Sequence, residues 1–237
     1  MFIGTGKIGA GVTIQFYNNT GSPTNPSCEL ENANYLGLSS EELESIRVQF
    51  LDVNEDLNKD FVVYKAKESV LSATVYLHSG NQLEPYSATN TLVLPLPSID
   101  QWGAPALFKS GNNFGLLIGK QNGSLSYYTR SGSLESGEWQ LISDTYLDLV
   151  EDYTKRNLRI AVADWNANGT LDMLSADDSG DVNVYEDFLS KKEVHKVYGL
   201  TEDKAQQFVL DFGNLANPTV ANLYGTQEPV LAMGLLQ

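Results

Sequence analysis

The sequence predicts an all-β fold, a β-propeller or part of one, built from four-stranded antiparallel blades that repeat about every 57 residues. Two observations about repetition predict it, and the composition supports them. Four segments share the pattern of short apolar strand, polar loop and second apolar strand, running over 46–66, 104–123, 158–180 and 217–235. Their first loop positions, Asp52, Lys109, Asp164 and Asn222, are spaced almost evenly along the chain. The stretches between them repeat as well, as strands ending in aromatics: TIQFYNNTGS (13–22), ATVYLHSG (73–80), SLSYYTRSGS (124–133) and DVNVYEDF (181–188). Twenty glycines against three methionines suit a turn-rich β chain.

Each element has a local reason. Alternation in SLSYY and VNVYE, with β-branched and aromatic side chains, marks strands. Asn122-Gly123 and Ser179-Gly180 suit tight hairpin turns. A third polar–apolar stretch closes each unit, as in 138–150 and 192–200. Helical spacing is brief: 39–46 and 201–208 each permit a turn or two, with Ser40 or Thr201 as cap. A unit of this size holds three or four strands, and stacking against neighbours covers its faces and edges. The blades fall at 1–45 (partial), 46–102, 103–157, 158–214 and 215–237 (partial). A β-sandwich with hairpins of accidental similarity is the rival, and a period held three times running argues against it.

Charge narrows the partners. Thirty Asp and Glu against fifteen Lys and Arg leave a net charge of −15, which disfavours the polyanions nucleic acid and anionic membrane. One cysteine, Cys28, excludes a disulfide framework and a multi-cysteine zinc site. No stretch approaches the roughly 18 apolar residues of a membrane span, and the N-terminal segment has no basic region leading into an apolar run.

Cations are the natural partner, and two loops carry spaced oxygen ligands for them. Asp52, Asn54, Asp56 and Asp60 hold positions 1, 3, 5 and 9 of one loop, and Asp164, Asn166, Asn168 and Asp172 hold the same positions of another. Ca²⁺ takes about six to eight oxygens at flexible geometry, and alternate residues of a tight loop can converge on one ion. At position 7, Asn58 and Thr170 would offer their backbone carbonyls, and water would fill the remainder. Gly169 fits the sharp turn, where the first loop has Leu57. An EF-hand would need a bidentate Glu at position 12; Val63 and Ser175 stand there, and the flanks are β-type. The alternative for both loops is an Asx-rich turn whose side chains only cap local backbone groups. The stretches 109–115 and 222–228 are each shorter by two positions, lack the ligand series and are expected to bind no calcium.

These residues resemble the FG-GAP/VCBS repeat family. The stretch IAVADWNANGTLDMLSADDSGDVNVYEDF fits best, VQFLDVNEDLNKDFVVY nearly as well, and ALFKSGNNFGLLIGKQNGSLSYYTRSG and NPTVANLYGTQEPVLAMG keep the strands without the calcium loop. The opening segment 2–30 is similar to the inter-strand segment of VCBS-type proteins. What the resemblance implies is a propeller of integrin-α or bacterial surface type, with Ca²⁺-stabilised blades, extracellular or cell-surface residence and a recognition role. Such propellers commonly close with about seven blades, which at this period needs about 400 residues. The expectation is therefore a fragment of a longer protein, a four-bladed closure whose termini share a blade, or two chains completing one ring.

Catalysis finds little support. His78 and His195 fall at unrelated repeat positions, Cys28 has no nearby base in sequence, and no nucleophile-elbow, P-loop or H-E-x-x-H motif occurs. Gly4-Thr-Gly6-Lys-Ile-Gly9 imitates a dinucleotide fingerprint but leads into a strand. Trp102 and Trp139 offer either sugar-stacking faces or packing. The expected function is a non-catalytic, calcium-stabilised binding module for a protein or glycan ligand. The alternatives are the propeller domain of a secreted polysaccharide-degrading enzyme, or a structural spacer of an adhesin.

Overall fold

The computed structural model describes residues 2–7, 11–22, 25, 27–38, 43–81, 84–135, 137–191, 193–200, 206–214, 216–221 and 229–234. The chain is all-β, as expected, and its strands form antiparallel sheets in simple sequential order. β1 (Phe2–Lys7), β2 (Gly11–Asn19) and β3 (Cys28–Asn32) make a three-stranded sheet. Three four-stranded sheets follow. The first is β4 (Ser45–Leu51), β5 (Asp60–Lys67), β6 (Val70–Tyr76) and β7 (Thr91–Leu94). The second is β8 (Ala104–Ser110), β9 (Asn113–Gly119), β10 (Leu125–Ser131) and β11 (Gln140–Ser143). The third is β12 (Arg159–Ala163), β13 (Asp172–Ala176), β14 (Val182–Tyr185) and β15 (Val194–Lys196). Two hairpins end the chain, β16 (Tyr198–Leu200) with β17 (Gln207–Val209) and β18 (Asn217–Ala221) with β19 (Val230–Gly234).

The position of a strand in its sheet follows from its side chains. Phe61-Val62-Val63-Tyr64 on β5 and Leu116-Leu117-Ile118 on β9 are continuous apolar runs, and all are buried. Runs of that kind suit a strand covered on both faces. The last strand of each sheet is different: Val93 on β7, Leu141 and Ile142 on β11 and Val194 on β15 are exposed. Gly115 on β9 has a steric role, because a Cβ there would stand 2.0 Å from the Phe108 ring of β8.

The chain divides into two compact units, one of residues 1–101, 109–114 and 130–139, the other of 102–108, 115–129 and 140–237. The first unit has a core of Val12, Ile14, Ile46, Phe61, Val63 and Tyr76. The second has one of Phe108, Leu117, Leu125, Leu158, Met173, Tyr185 and Phe188. Both cores are rich in rings at offset or edge geometry, such as Phe50 on Phe61 at 5.0 Å and Tyr127 on Tyr146 at 4.7 Å. Of the tyrosines on the aromatic-ended strands, Tyr76 and Tyr185 are buried, and Tyr17, Tyr127 and Tyr128 are half-buried.

A longer repeat underlies the shorter one. The pairing register of β2 with β3 shifts between Phe16 and Tyr17, and that of β10 with β11 shifts between Tyr127 and Tyr128. Short 3-10 turns follow at Tyr35–Gly37 and Tyr146–Asp148, at the same offset in the chain as the two shifts. Each turn places a leucine in the left-handed region, Leu36 at φ 55° and Leu147 at φ 58°.

Two local expectations are corrected. Lys109 does not open a loop: it lies inside β8, and the turn to β9 is the pair Gly111-Asn112. The hairpin there is too short to expose a ligand series at all. The helical turns expected at 39–46 and 201–208 lie partly outside the described residues. Where described, Ser45 and Ile46 open β4, and Gln207 and Phe208 belong to β17. The loop beginning at Asn222 lies outside the described residues.

Candidate metal loops

The loops 52–60 and 164–172 connect the first and second strands of their sheets, β4 to β5 and β12 to β13. Their acceptors correspond position by position, and their donors do so except that the first N–H given to position 1 comes from position 4 in one loop and position 5 in the other. At position 1, Asp52 accepts the N–H groups of Glu55 at 2.7 Å and Leu57 at 2.9 Å, and Asp164 accepts those of Asn168 at 3.0 Å and Gly169 at 2.9 Å. At position 3, Asn54 accepts from Asp56 and Asn166 accepts from Asn168. At position 5, Asp56 accepts the Asn58 N–H and Asn168 accepts the Thr170 N–H, each at 2.8 Å.

Position 9 is the anchor. Asp60 and Asp172 begin the second strand with no exposed surface. One oxygen of each accepts the N–H of loop position 2, Val53 or Trp165, at 2.9 Å. The other accepts a backbone N–H beyond the third strand, from His78 at 2.9 Å or Asp187 at 2.8 Å. A buried carboxylate accepting two amide bonds is satisfied, which burial requires.

Backbone conformation matches too. Positions 4 and 6 are left-handed in both loops: Glu55 (φ 65°) and Leu57 (φ 69°), then Ala167 (φ 56°) and Gly169 (φ 86°). These two reversals fold positions 1, 3 and 5 back over the loop's own amides. Only Gly169 adopts its conformation without steric cost. The Asn58 N–H, with the side-chain amides of Asn54 and Asn58, holds the Asp56 carboxyl below the usual range, so it is anionic at neutral pH.

The structure thus brings each predicted set into one loop, Asp52, Asn54, Asp56 and Asp60 in the first, and Asp164, Asn166, Asn168 and Asp172 in the second. Among the described residues, no three His, Cys, Asp or Glu side chains gather as a metal-holding group. A cation in either loop therefore needs the amide oxygens of Asn54 or of Asn166 and Asn168, and main-chain oxygens, beside the carboxylates. The donors are all hard oxygens, which fits Ca²⁺ and not a soft metal. The same bonds also describe an Asx-rich turn that needs no ion.

Around the first loop, the structure adds groups that spacing did not reveal. Tyr86 donates its hydroxyl to the Lys59 carbonyl at 2.6 Å, and burial raises its pKa. Lys109 pairs with Glu55 at 2.5 Å and lies 5.4 Å from the Phe114 ring centroid. Lys109, Glu55 and Phe114 form one wall of an open cavity of about 350 Å³. Asn54, Leu92, Asn112 and the segment 132–135 also line it. A lysine read as a degraded ligand position is instead a partner of the intact loop. Nothing in the sequence pairs residues 55 and 109, whose contact is made by the fold.

Comparison of the chain with protein-family models, with curated proteins and with solved structures finds no match.

Proposed function

We propose that the chain is a non-catalytic, calcium-stabilised β-propeller segment of FG-GAP/VCBS type, from an exported or cell-surface protein, which binds a protein or glycan ligand. One observation carries the reading: two loops far apart in the chain share hydrogen-bond acceptors, left-handed positions and a buried terminal aspartate. A turn that only reversed the chain could be much shorter, as Gly111-Asn112 is between β8 and β9. Retaining a longer loop with oxygens at positions 1, 3, 5 and 9 suits a cation. Asp52, Asn54, Asp56 and Asp60 would hold one ion, and Asp164, Asn166, Asn168 and Asp172 the other. The ion would offset charge that the loop itself concentrates, and the folded chain would gain stability from binding it.

The sheets support a propeller because each four-stranded unit runs in chain order with its innermost strands buried. Exposed outer strands leave edges for a partner, further blades or a second chain. Thermal unfolding in millimolar Ca²⁺ and in EGTA tests the proposal. Melting should rise with calcium in proportion to the logarithm of its concentration above the dissociation constant. An unchanged melting temperature would reduce both loops to turns.

A further inference from the structure

Lys109 holds a place that the repeat gives to an acid in the two ligand-bearing loops. It aligns with Asp52 and Asp164, the first ligand positions, yet its ammonium pairs with the loop 52–60. Nζ lies 2.5 Å from Glu55 Oε1 and 5.4 Å from the centroid of the buried Phe114 ring. The ammonium is thus held on two sides, by a carboxylate and by an aromatic face. The Lys109 side chain is only 20 % exposed, so the positive charge is kept at the loop and is not free to wander in solvent. Glu55 is position 4 of that loop, left-handed at φ 65°, and its N–H donates to Asp52 at 2.7 Å. One residue therefore joins the ammonium to the loop's first ligand.

Charge explains why a cation stands here. The loop 52–60 carries four acids, Asp52, Glu55, Asp56 and Asp60, against one cation of its own, the exposed Lys59. The loop 164–172 carries two acids, Asp164 and Asp172. Its position 4 is Ala167, and Asn222 takes the place in the sequence that Lys109 has after the first loop. Both members of the ion pair are thus absent from the less acidic repeat. The extra cation accompanies the loop with the greater excess of negative charge.

We propose that Lys109 is a resident counter-charge for the loop 52–60: it stabilises the loop when no ion is bound, and it lowers that loop's affinity for Ca²⁺. The inference rests on the calcium reading above. A fixed positive charge attracts the loop's carboxylates in the ion-free state and repels an entering cation, so both effects come from one interaction. A residue that only buttressed the loop would act on binding in the opposite sense, because a loop held in its bound shape binds more tightly. The sign of the change in affinity therefore separates the two roles.

The test is calorimetric titration with Ca²⁺ of the wild type and of the whole chain carrying Asp164→Ala, which leaves the loop 52–60 to bind. Lys109→Met, Lys109→Arg and Glu55→Gln are each added to the Asp164→Ala chain, and thermal unfolding in EGTA accompanies each titration. Lys109→Met should bind Ca²⁺ about three- to fivefold more tightly at low salt, the scale of one charge screened by water. That gain should shrink in about 0.5 M NaCl. The same variant should melt lower in EGTA and recover part of the loss in saturating Ca²⁺. Lys109→Arg, which keeps the charge, should bind as its parent does, and Glu55→Gln, which leaves the ammonium uncompensated, should bind more weakly. Unchanged or weaker binding by Lys109→Met would overturn the proposal and leave the calcium reading standing. Wild-type binding that vanishes with Asp164→Ala would overturn it too, and no binding by either chain would overturn the calcium reading with it.

Discussion

Asp60 and Asp172 divide their carboxylates in the same way, one oxygen to the second residue of the loop and the other to the backbone beyond the third strand. Each therefore ties a loop to its sheet at two points, and each is fully buried. The tie stands whether or not a cation is present, so its loss is felt in the folded chain itself.

Asp172→Ala leaves the Trp165 and Asp187 N–H groups without their acceptor. Both donors are part-buried, and an unpaired donor costs about 1–3 kcal/mol, so the variant should lose roughly 2–6 kcal/mol. Urea denaturation measures this directly. A loss under about 1 kcal/mol would show that water replaces the carboxylate at no cost.

Leu57 occupies the left-handed position that Gly169 fills in the second loop, and its side chain is 92 % exposed. Nothing packs on it to be lost. A non-glycine residue there costs about 1–2 kcal/mol, and the greater unfolded freedom of glycine offsets about 0.5–1 kcal/mol. Leu57→Gly should therefore stabilise the chain by about 0.5–1 kcal/mol, and Gly169→Leu should destabilise it by a similar amount. A lower urea midpoint for Leu57→Gly would contradict this expectation.

The two loops should titrate as separate calcium sites. Calorimetry with Ca²⁺ on the wild type and on Asp164→Ala should differ by one site, leaving the loop with three aspartates occupied. That loop should also bind more tightly, since ligand charge raises affinity. Finding the same number of sites in both chains would remove Asp164 from the ligand set.

Alkaline pH should loosen the second unit. Burial, with Tyr127 nearby, pushes the Tyr146 hydroxyl up to about 12 from an ordinary 10, and it donates to the Phe188 carbonyl at 2.8 Å. A folded-state value above the unfolded one gives stability that is complete below about pH 10 and lost as pH rises towards 12. Melting temperature should fall over that window, and less steeply in Tyr146→Phe. The variant should already be weaker at neutral pH by about 1 kcal/mol, the worth of one hydrogen bond. Identical pH profiles for the two chains would exclude Tyr146 as the group responsible.

Much of this architecture is legible in the sequence because its signals are local and repeated. Apolar runs such as Phe61-Val62-Val63-Tyr64 announce buried strands, and the alternate oxygens of the two loops announce their shape. Lys109 escapes such a reading because a shortened loop collapses into a hairpin, and the strand extends to absorb the difference. Its pairing with Glu55 depends on which surfaces the fold brings together. No spacing rule carries that information. The match of Leu36 with Leu147, two non-glycine residues in the same strained conformation, is equally invisible, since left-handed leucine has no sequence signature.

The register shifts at Phe16 and Tyr127, the turns at Tyr35 and Tyr146 and the paired aspartate loops all recur after two of the shorter periods. The chain thus has a reading frame coarser than one sheet. A duplication or deletion spanning two periods would return an aspartate loop to an aspartate loop. One spanning a single period would bring the Gly111-Asn112 hairpin to where an acidic loop had been. Length change in this architecture is in phase only when it comes two sheets at a time.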